Sequence, residues 1–348
     1  MTTGNPTLTF ERLHPFLSAL LPGASENPSF TPLTADASTR RYYRLRWAAP
    51  ATGYPASCVV MHCDPWPADE SPDFLTVGRH LRACGVRVPE VYGVQPEAGL
   101  MCLEDYGDRT LAAQWQHGDS EDRRRWGRQA MDELVKLHTL ATQTVDPACP
   151  AFRLAFDVDK LTSELHFFRT HAVVALWQQP LGPNDCQAWD GAFHALCAPL
   201  ATAPCFFCHR DYHGWNIMVH DGAIGVLDFQ DARMGPQPYD LASLLTDRGT
   251  ADVLTADGTA ALVAYYLDRW QAESGRTVDR DEFGWLFDMA AVQRCLKAIG
   301  TFAAMHVVHD RPQYLPYIPP TLAYLRPLMQ RYEPLRPLAD LLRRFTPL

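Results

Sequence analysis

The chain has no run of basic residues that suggests a phosphate-tracking groove. Its 31 Lys and Arg stand against 40 Asp and Glu, a net charge of -9, whereas a protein that tracks nucleic-acid phosphates concentrates positive charge along one face. Nucleic acid is excluded as a partner on this ground. No apolar stretch approaches the roughly 20 residues that a membrane-crossing helix needs. The opening MTTGNPTLTFERLHPFLSALLPG has no basic segment followed by an apolar core and a small-residue cleavage site. No membrane partner is expected, and the cytoplasm is the expected compartment. Cys205 and Cys208 form a C-x-x-C, but there is no second pair at comparable spacing to complete a zinc site. The ten cysteines therefore read as small buried apolar residues in a reducing compartment. No internal repeat is present. A hydrophobic fraction of 47% over 348 residues is ample for a buried core, in one large domain or two moderate ones.

The chemistry is concentrated in residues 208–231, CHRDYHGWNIMVHDGAIGVLDFQD. Phosphoryl transfer needs a carboxylate facing the acceptor hydroxyl and two oxygen ligands for Mg²⁺, converging on one small volume. The order H-R-D-x-x-x-x-N followed by an apolar run and D-F-x supplies all three. Asp221-Gly222, between two apolar runs, predicts a hairpin that sets Asn216 beside Asp228. Asp211 is the candidate catalytic base, and Asn216 and Asp228 are the candidate Mg²⁺ ligands. Asp231 either reaches the outer shell of the metal or the substrate, or caps a turn. His209, His213 and His138 read as structural histidines, and Asp240 as a cap and loop brace.

The flanking segments divide in two. Residues 10–21 have apolar positions at helical spacing, broken by Pro15. One strand ends at Leu33, and Tyr43, Leu45 and Trp47 alternate along another. The 36–41 connection has no glycine, so contact with nucleotide phosphates falls to Ser38, Thr39, Arg40 and Arg41. Residues 57–61, 89–93 and 100–103 read as three further strands and 73–84 as a helix, which makes residues 1–103 a small antiparallel lobe. The polar segment 104–108 reads as a linker, with Glu104, Asp105 and Tyr106 placed to hold a nucleotide base. From 109 to 348 the periodicity turns helical, at 121–140, 159–174, 185–200, 239–245, 259–271, 282–305 and a final helix at about 320–332. In the last long helix but one, Gln293, Arg294 and Lys297 share a polar face, the first place to look for acceptor recognition.

With these residues in view, the chain resembles the aminoglycoside phosphotransferase/choline kinase superfamily. Within it, the chain is most similar to the bacterial cell-wall-recycling kinases of N-acetylmuramate and N-acetylglucosamine. The resemblance is carried by DASTRRYYRL (36–45), GLMCLEDYGD (99–108), HRDYHGWNIMV (209–219), IGVLDFQDARMGPQPYDLASLL (224–245) and VQRCLKAIG (292–300). It implies an α+β, protein-kinase-like fold of two lobes. It also implies ATP with Mg²⁺ and a small-molecule sugar acceptor phosphorylated at its anomeric hydroxyl. A monomer is expected. The superfamily's base falls on Asp211, its metal ligands on Asn216 and Asp228, and its adenine-contacting linker on Glu104 to Tyr106. The chain departs from the superfamily at the third strand, where Val59-Val60-Met61-His62-Cys63 holds no phosphate-binding lysine. The sugar-kinase relatives lack it too, and Arg40 or Arg41 is the expected substitute. The alternatives are an aminoglycoside, homoserine or choline-type kinase of the same fold, or a catalytically silent nucleotide-binding module.

Overall fold

The computed structural model of the chain describes residues 8–21, 28–33, 41–48, 50, 52–63, 66, 70–248, 250 and 253–346, with the side chains of 70–72 excepted. Helix α1 (Phe10–Leu20) precedes strands β1 (Ser29–Leu33), β2 (Arg41–Arg46) and β3 (Ser57–His62). Helix α2 (Glu70–Ala83), β4 (Val91–Gln95) and β5 (Leu100–Glu104) complete the first lobe. The strands form one antiparallel sheet in the order β1-β2-β3-β5-β4. Period-two alternation gives the sheet two different faces. Tyr43, Leu45, Cys58, Val60 and Cys102 bury one face under Leu13 and Leu17 of α1. Met61, Met101 and Leu103 line the other, where Phe74 and Leu75 of α2 pack. A fully buried side chain such as Leu45 contributes roughly 1.5–3 kcal/mol relative to exposure.

α2 belongs to both halves of the molecule. Its Val77 and Leu81, and Val86 and Val88 just beyond, are part of the core of the second lobe. His80 Nε2 donates to the Ala141 carbonyl at 3.0 Å.

The second lobe runs through α3 (Leu111–His117), α4 (Ser120–Lys136), α5 (Val158–Phe168) and α6 (Pro183–Thr202). Four short strands follow: β6 (Cys205–Cys208), β7 (Ile217–His220), β8 (Ala223–Val226) and β9 (Arg233–Pro236), with β6 paired to β9 and β7 to β8. Then come α7 (Pro238–Leu245), α8 (Ala256–Ser274), α9 (Arg280–Val307), α10 (Ile318–Arg331) and α11 (Arg336–Phe345). Among the described residues no helix is long and apolar enough to cross a membrane.

Three departures from the sequence reading have local causes. The helices expected to reach 140 and 174 do so through wider π turns, at 137–141 and 169–176. The helix at 320–332 is not the last: α11 follows and buries Leu338, Leu341, Leu342 and Phe345. Proline masks α11 in the sequence, because Pro337 sits in its first turn, where a missing N–H costs nothing. Finally, all ten cysteines are free, but Cys205 is exposed and Cys186 only half-buried.

Candidate active site

The β7–β8 hairpin turns through Asp221 and Gly222, at φ 50° and 74°, the left-handed pair that suits a tight hairpin. Ile217 pairs with Val226, so the residue before β7 and the residues after β8 lie side by side. Asn216 Nδ2 donates to the Asp211 carbonyl at 3.0 Å and to Asp228 Oδ2 at 3.3 Å, and Gln230 Nε2 donates to Asp228 Oδ1 at 2.9 Å.

Arg210 and Asp228 both hold left-handed backbone, with φ of 83° and 61°. Such residues cost of order 1–3 kcal/mol each and persist only where neighbours enforce them. Here the enforcing group is the buried Asp240 carboxylate, which accepts from the backbone N–H of His209 at 2.6 Å and of Arg210 at 2.9 Å. His209 Nε2 donates to the Leu227 carbonyl at 2.8 Å and ties the loop to the strand that leads to Asp228. Burial pushes the Asp240 carboxyl up to about 6, against the pull of His209 and of these N–H groups. His138 lies fully buried beneath, its Nδ1 2.6 Å from the Tyr266 hydroxyl, and burial drives it down to about 3.

Asp211 meets two cations from α9. Arg294 Nη1 and Lys297 Nζ reach the same oxygen, Oδ1, at 3.0 and 3.1 Å. The carboxylate is still 26% exposed, so it remains open to an acceptor. Burial opposes its ionisation, but Lys297, Arg294 and Arg210 outweigh that and hold it well below the usual carboxylate range. Burial also lowers the Lys297 ammonium to about 8, with Asp211 offsetting part of the effect. Behind this pair sits a second carboxylate, Glu164 of α5. It accepts from Gln293 at 3.1 Å and pairs with Lys160 at 3.2 Å and Arg210 at 3.6 Å. Burial works against its ionisation too, yet Lys297 and Lys160 bring it down to about 2.

The cleft above these residues measures about 610 Å³, within the usual range for a small-ligand site. Val59 and Leu103 of the sheet face Met218 and Leu227 of the second lobe across it, an apolar slot suited to a flat ring. Glu104, Asp105 and Tyr106 line its back. The Asp105 carboxylate is itself occupied. Arg44 of β2 pairs with it at 2.8 Å, with side chains only 8% and 2% exposed, and also reaches Asp108 and the Gly107 carbonyl.

Ser38, Thr39 and Arg40 lie outside the described residues. Arg41 is exposed at the start of β2 and is not among the cleft-lining residues. The chain has no lysine before Lys136, so any cation from the first lobe is an arginine. Among the described residues, Arg44 is the first-lobe arginine in the cleft wall. Asp231 is not among the cleft-lining residues and pairs instead with Arg210 Nη1 at 3.0 Å. Sequence reasoning missed Arg44, Glu164 and Arg248. Arg44 had a signal, since it alternates with buried Tyr43 and Leu45 and must face the opposite side of β2.

A divalent cation of the Mg²⁺ type takes hard oxygen donors. The Asp228 carboxylate and the Asn216 amide converge at one edge of the cleft, each oriented by a hydrogen bond of its own, and this donor set fits such an ion.

Comparison with known proteins agrees with this geometry. The chain is 33% identical over 315 residues to an N-acetylmuramate/N-acetylglucosamine kinase of Neisseria meningitidis, with 88% of each chain covered. It is 30% identical over 343 residues to the Pseudomonas aeruginosa kinase of that name, with 96% of each covered. Among solved structures, an ADP-bound aminoglycoside phosphotransferase superposes with a TM-score of 0.60 at 14% identity, over 96% of this chain and 99% of that one. That likeness gives the α+β, protein-kinase-like two-lobed fold. Residues 29–286 match the phosphotransferase enzyme family, so the chain belongs to that family and is a kinase.

Proposed function

We propose that the protein transfers the γ-phosphoryl group of ATP, with Mg²⁺, to the anomeric hydroxyl of N-acetylmuramate or N-acetylglucosamine, in peptidoglycan recycling. The relatives' names support the acceptor class. The carrying observation is the cavity beside Asp211. It measures about 170 Å³ and is walled by three cations, Arg248, Arg294 and Lys297, against Asp211 itself and one further carboxylate, Asp247, together with Trp215, Phe302 and Tyr314. Asp211 is already matched by two of those cations. An aminoglycoside or choline needs the reverse, acidic walls around a cationic acceptor, whereas an uncharged or acidic sugar suits this lining.

In this reading the base stacks between Val59 and Leu103 above and Met218 and Leu227 below, against the segment from Glu104 to Tyr106. Asn216 and Asp228 would hold Mg²⁺, which would supply charge neutralisation for the phosphoryl group being transferred. Asp211 accepts a hydrogen bond from the acceptor hydroxyl and aligns it for in-line attack. Its low pKa makes it a weak base, which is tolerable because positioning dominates in a loose transition state. An anomeric hydroxyl asks less of it still, since the ring oxygen withdraws electron density and makes that hydroxyl more acidic. Arg294 and Lys297 keep the carboxylate ionised and fixed.

The test is ADP release with ATP and Mg²⁺ against N-acetylmuramate, N-acetylglucosamine, glucose, kanamycin, homoserine and choline, with phosphorus NMR of the product. An anomeric phosphate from the N-acetyl sugars is expected. Turnover confined to kanamycin, homoserine or choline would refute the acceptor assignment, and no turnover with any acceptor would favour a silent module.

A further inference from the structure

Arg248 has no part in the chemistry above, and its surroundings are unusual. Its guanidinium carbon lies 4.8 Å from the ring centre of Tyr317, 5.1 Å from Tyr314, 5.3 Å from Trp215 and 5.5 Å from Phe302. Among the described residues no carboxylate forms an ion pair with it. Four rings around one cation supply cation–π attraction and strip water from it. They do not use its in-plane N–H groups, which form a rigid fork matched to a two-oxygen anion. A partly desolvated cation held this way gains most from a ligand that brings the missing charge.

Its position says which ligand. Arg248 lines the same cavity as Asp211 and Asp247, and that cavity is walled by the 209–216 loop, the segment after α7, α9 and the turn at 312–317, with nothing from the sheet. Arg248 also borders the larger cleft, with Asp211, His213 and Trp215, which the two cavities share, so it stands where they meet beside Asp211, while Phe302 and Tyr314 of its ring cage line the smaller, acceptor-side cavity. Resting on the sugar-kinase reading, we propose that Arg248 is a carboxylate-recognition site, which binds an acidic substituent of the acceptor while the reacting hydroxyl sits on Asp211. The two candidate sugars differ in this feature, since N-acetylmuramate carries a lactyl carboxylate that N-acetylglucosamine lacks. Selectivity for the acidic sugar then resides in Arg248 and in the rings that hold it, of which Tyr314 and Tyr317 come from the 312–317 turn.

The test compares wild type, Arg248→Met and Arg248→Lys on three acceptors: N-acetylmuramate, its methyl ester and N-acetylglucosamine. Loss of a charge-assisted hydrogen-bond pair corresponds to about 10- to 100-fold in kcat/KM. For wild type, esterification is expected to produce that loss, mainly through KM. Arg248→Met is expected to lower kcat/KM for N-acetylmuramate to the same degree and to abolish the difference between acid and ester, with a smaller loss on N-acetylglucosamine. Arg248→Lys, which keeps the charge but not the fork, is expected to fall between. The wild-type ester comparison needs no variant, so it stands whether or not Arg248→Met folds. Equal wild-type rates on acid and ester would overturn the proposal. So would a parallel loss on all three acceptors in Arg248→Lys, which would put Arg248 on the phosphate or in the scaffold. If wild type phosphorylates neither sugar, the acceptor reading itself fails; if it phosphorylates N-acetylglucosamine alone, only the Arg248 proposal does.

Discussion

At the scale of single residues, binding and catalysis are separable in this site. Asp211→Asn removes the carboxylate that aligns the acceptor and leaves Asn216 and Asp228 in place. Turnover is expected to fall by orders of magnitude while nucleotide affinity, read by titration calorimetry, stays within a few-fold. Asp228→Ala removes a charged ligand, so Mg²⁺-nucleotide affinity is expected to fall with turnover, and unchanged affinity would remove Asp228 from the metal site. Lys297 adds a pH dependence. Its ammonium, lowered to about 8, is charged below that pH and holds Asp211 from 3.1 Å. As pH rises through about 8 the proton is lost and Asp211 keeps Arg294 and the more distant Arg210. kcat/KM is therefore expected to decline on that limb, and Lys297→Arg, which does not deprotonate in range, to move the decline beyond pH 10. An alkaline limb unchanged in Lys297→Arg would assign it elsewhere. Asp211, Asn216 and Asp228 were legible as candidates because their spacing falls within one short stretch of chain. Arg294 and Lys297 were legible only as a polar helix face. That their partner is Asp211 depends on a helix more than 80 residues away, and periodicity carries no information about such a partner.

At the scale of elements, α9 positions the site, and its register depends on close contact with α5. A Cβ at Gly300 would lie 2.7 Å from the Phe168 Cα and 3.0 Å from its N, backbone atoms that cannot step aside. One turn back, α9 presents Lys297 to Asp211, and opposite it α5 presents Glu164. Gly300→Ala is expected to destabilise the protein by about 1–3 kcal/mol through overpacking and to lower kcat by displacing Arg294 and Lys297, measured by urea unfolding and steady-state kinetics. Normal stability with normal kcat would show that the helix–helix approach does not set the site. Most elements were legible because their periodicities are strong: β2 alternates, and α4 and α9 repeat at three and four. The tail was not, since α11 spans only ten residues and opens with proline, which reads as loop when seen without its packing partner α6. Arg44 illustrates the opposite case, a residue whose facing follows from strand parity but whose partners, Asp105 and Asp108, come from the far end of the lobe.

At the scale of the whole molecule, we propose a first lobe at 1–103, a linker at 104–108 and a second lobe at 109–348, with α2 as the element that prevents their independence. Its Phe74 and Leu75 face the sheet. Val77 and Leu81 lie in the core of the second lobe, and Phe74 stacks 4.8 Å from Phe229 beside the metal-binding candidate Asp228. Tyr106 of the linker is buried against Gly225, where a Cβ would lie 2.3 Å from the ring. A protein cut at 109 would therefore expose the surface that Val77, Leu81, Val86 and Val88 cover, fully or nearly fully buried apolar side chains, each contributing roughly 1.5–3 kcal/mol. That loss is comparable with the whole stability of a domain, about 5–15 kcal/mol. Fragment 109–348 is expected to bind a hydrophobic dye, to show weak near-ultraviolet circular dichroism and to melt without a sharp transition. The full chain is expected to unfold in one step, shifted upward by Mg²⁺-nucleotide because ligand bound between the lobes stabilises both together. Should 109–348 prove soluble, cooperative and native in its near-ultraviolet spectrum, α2 would be an appendage of the second lobe rather than part of its core, and the lobes would be free to move as separate bodies.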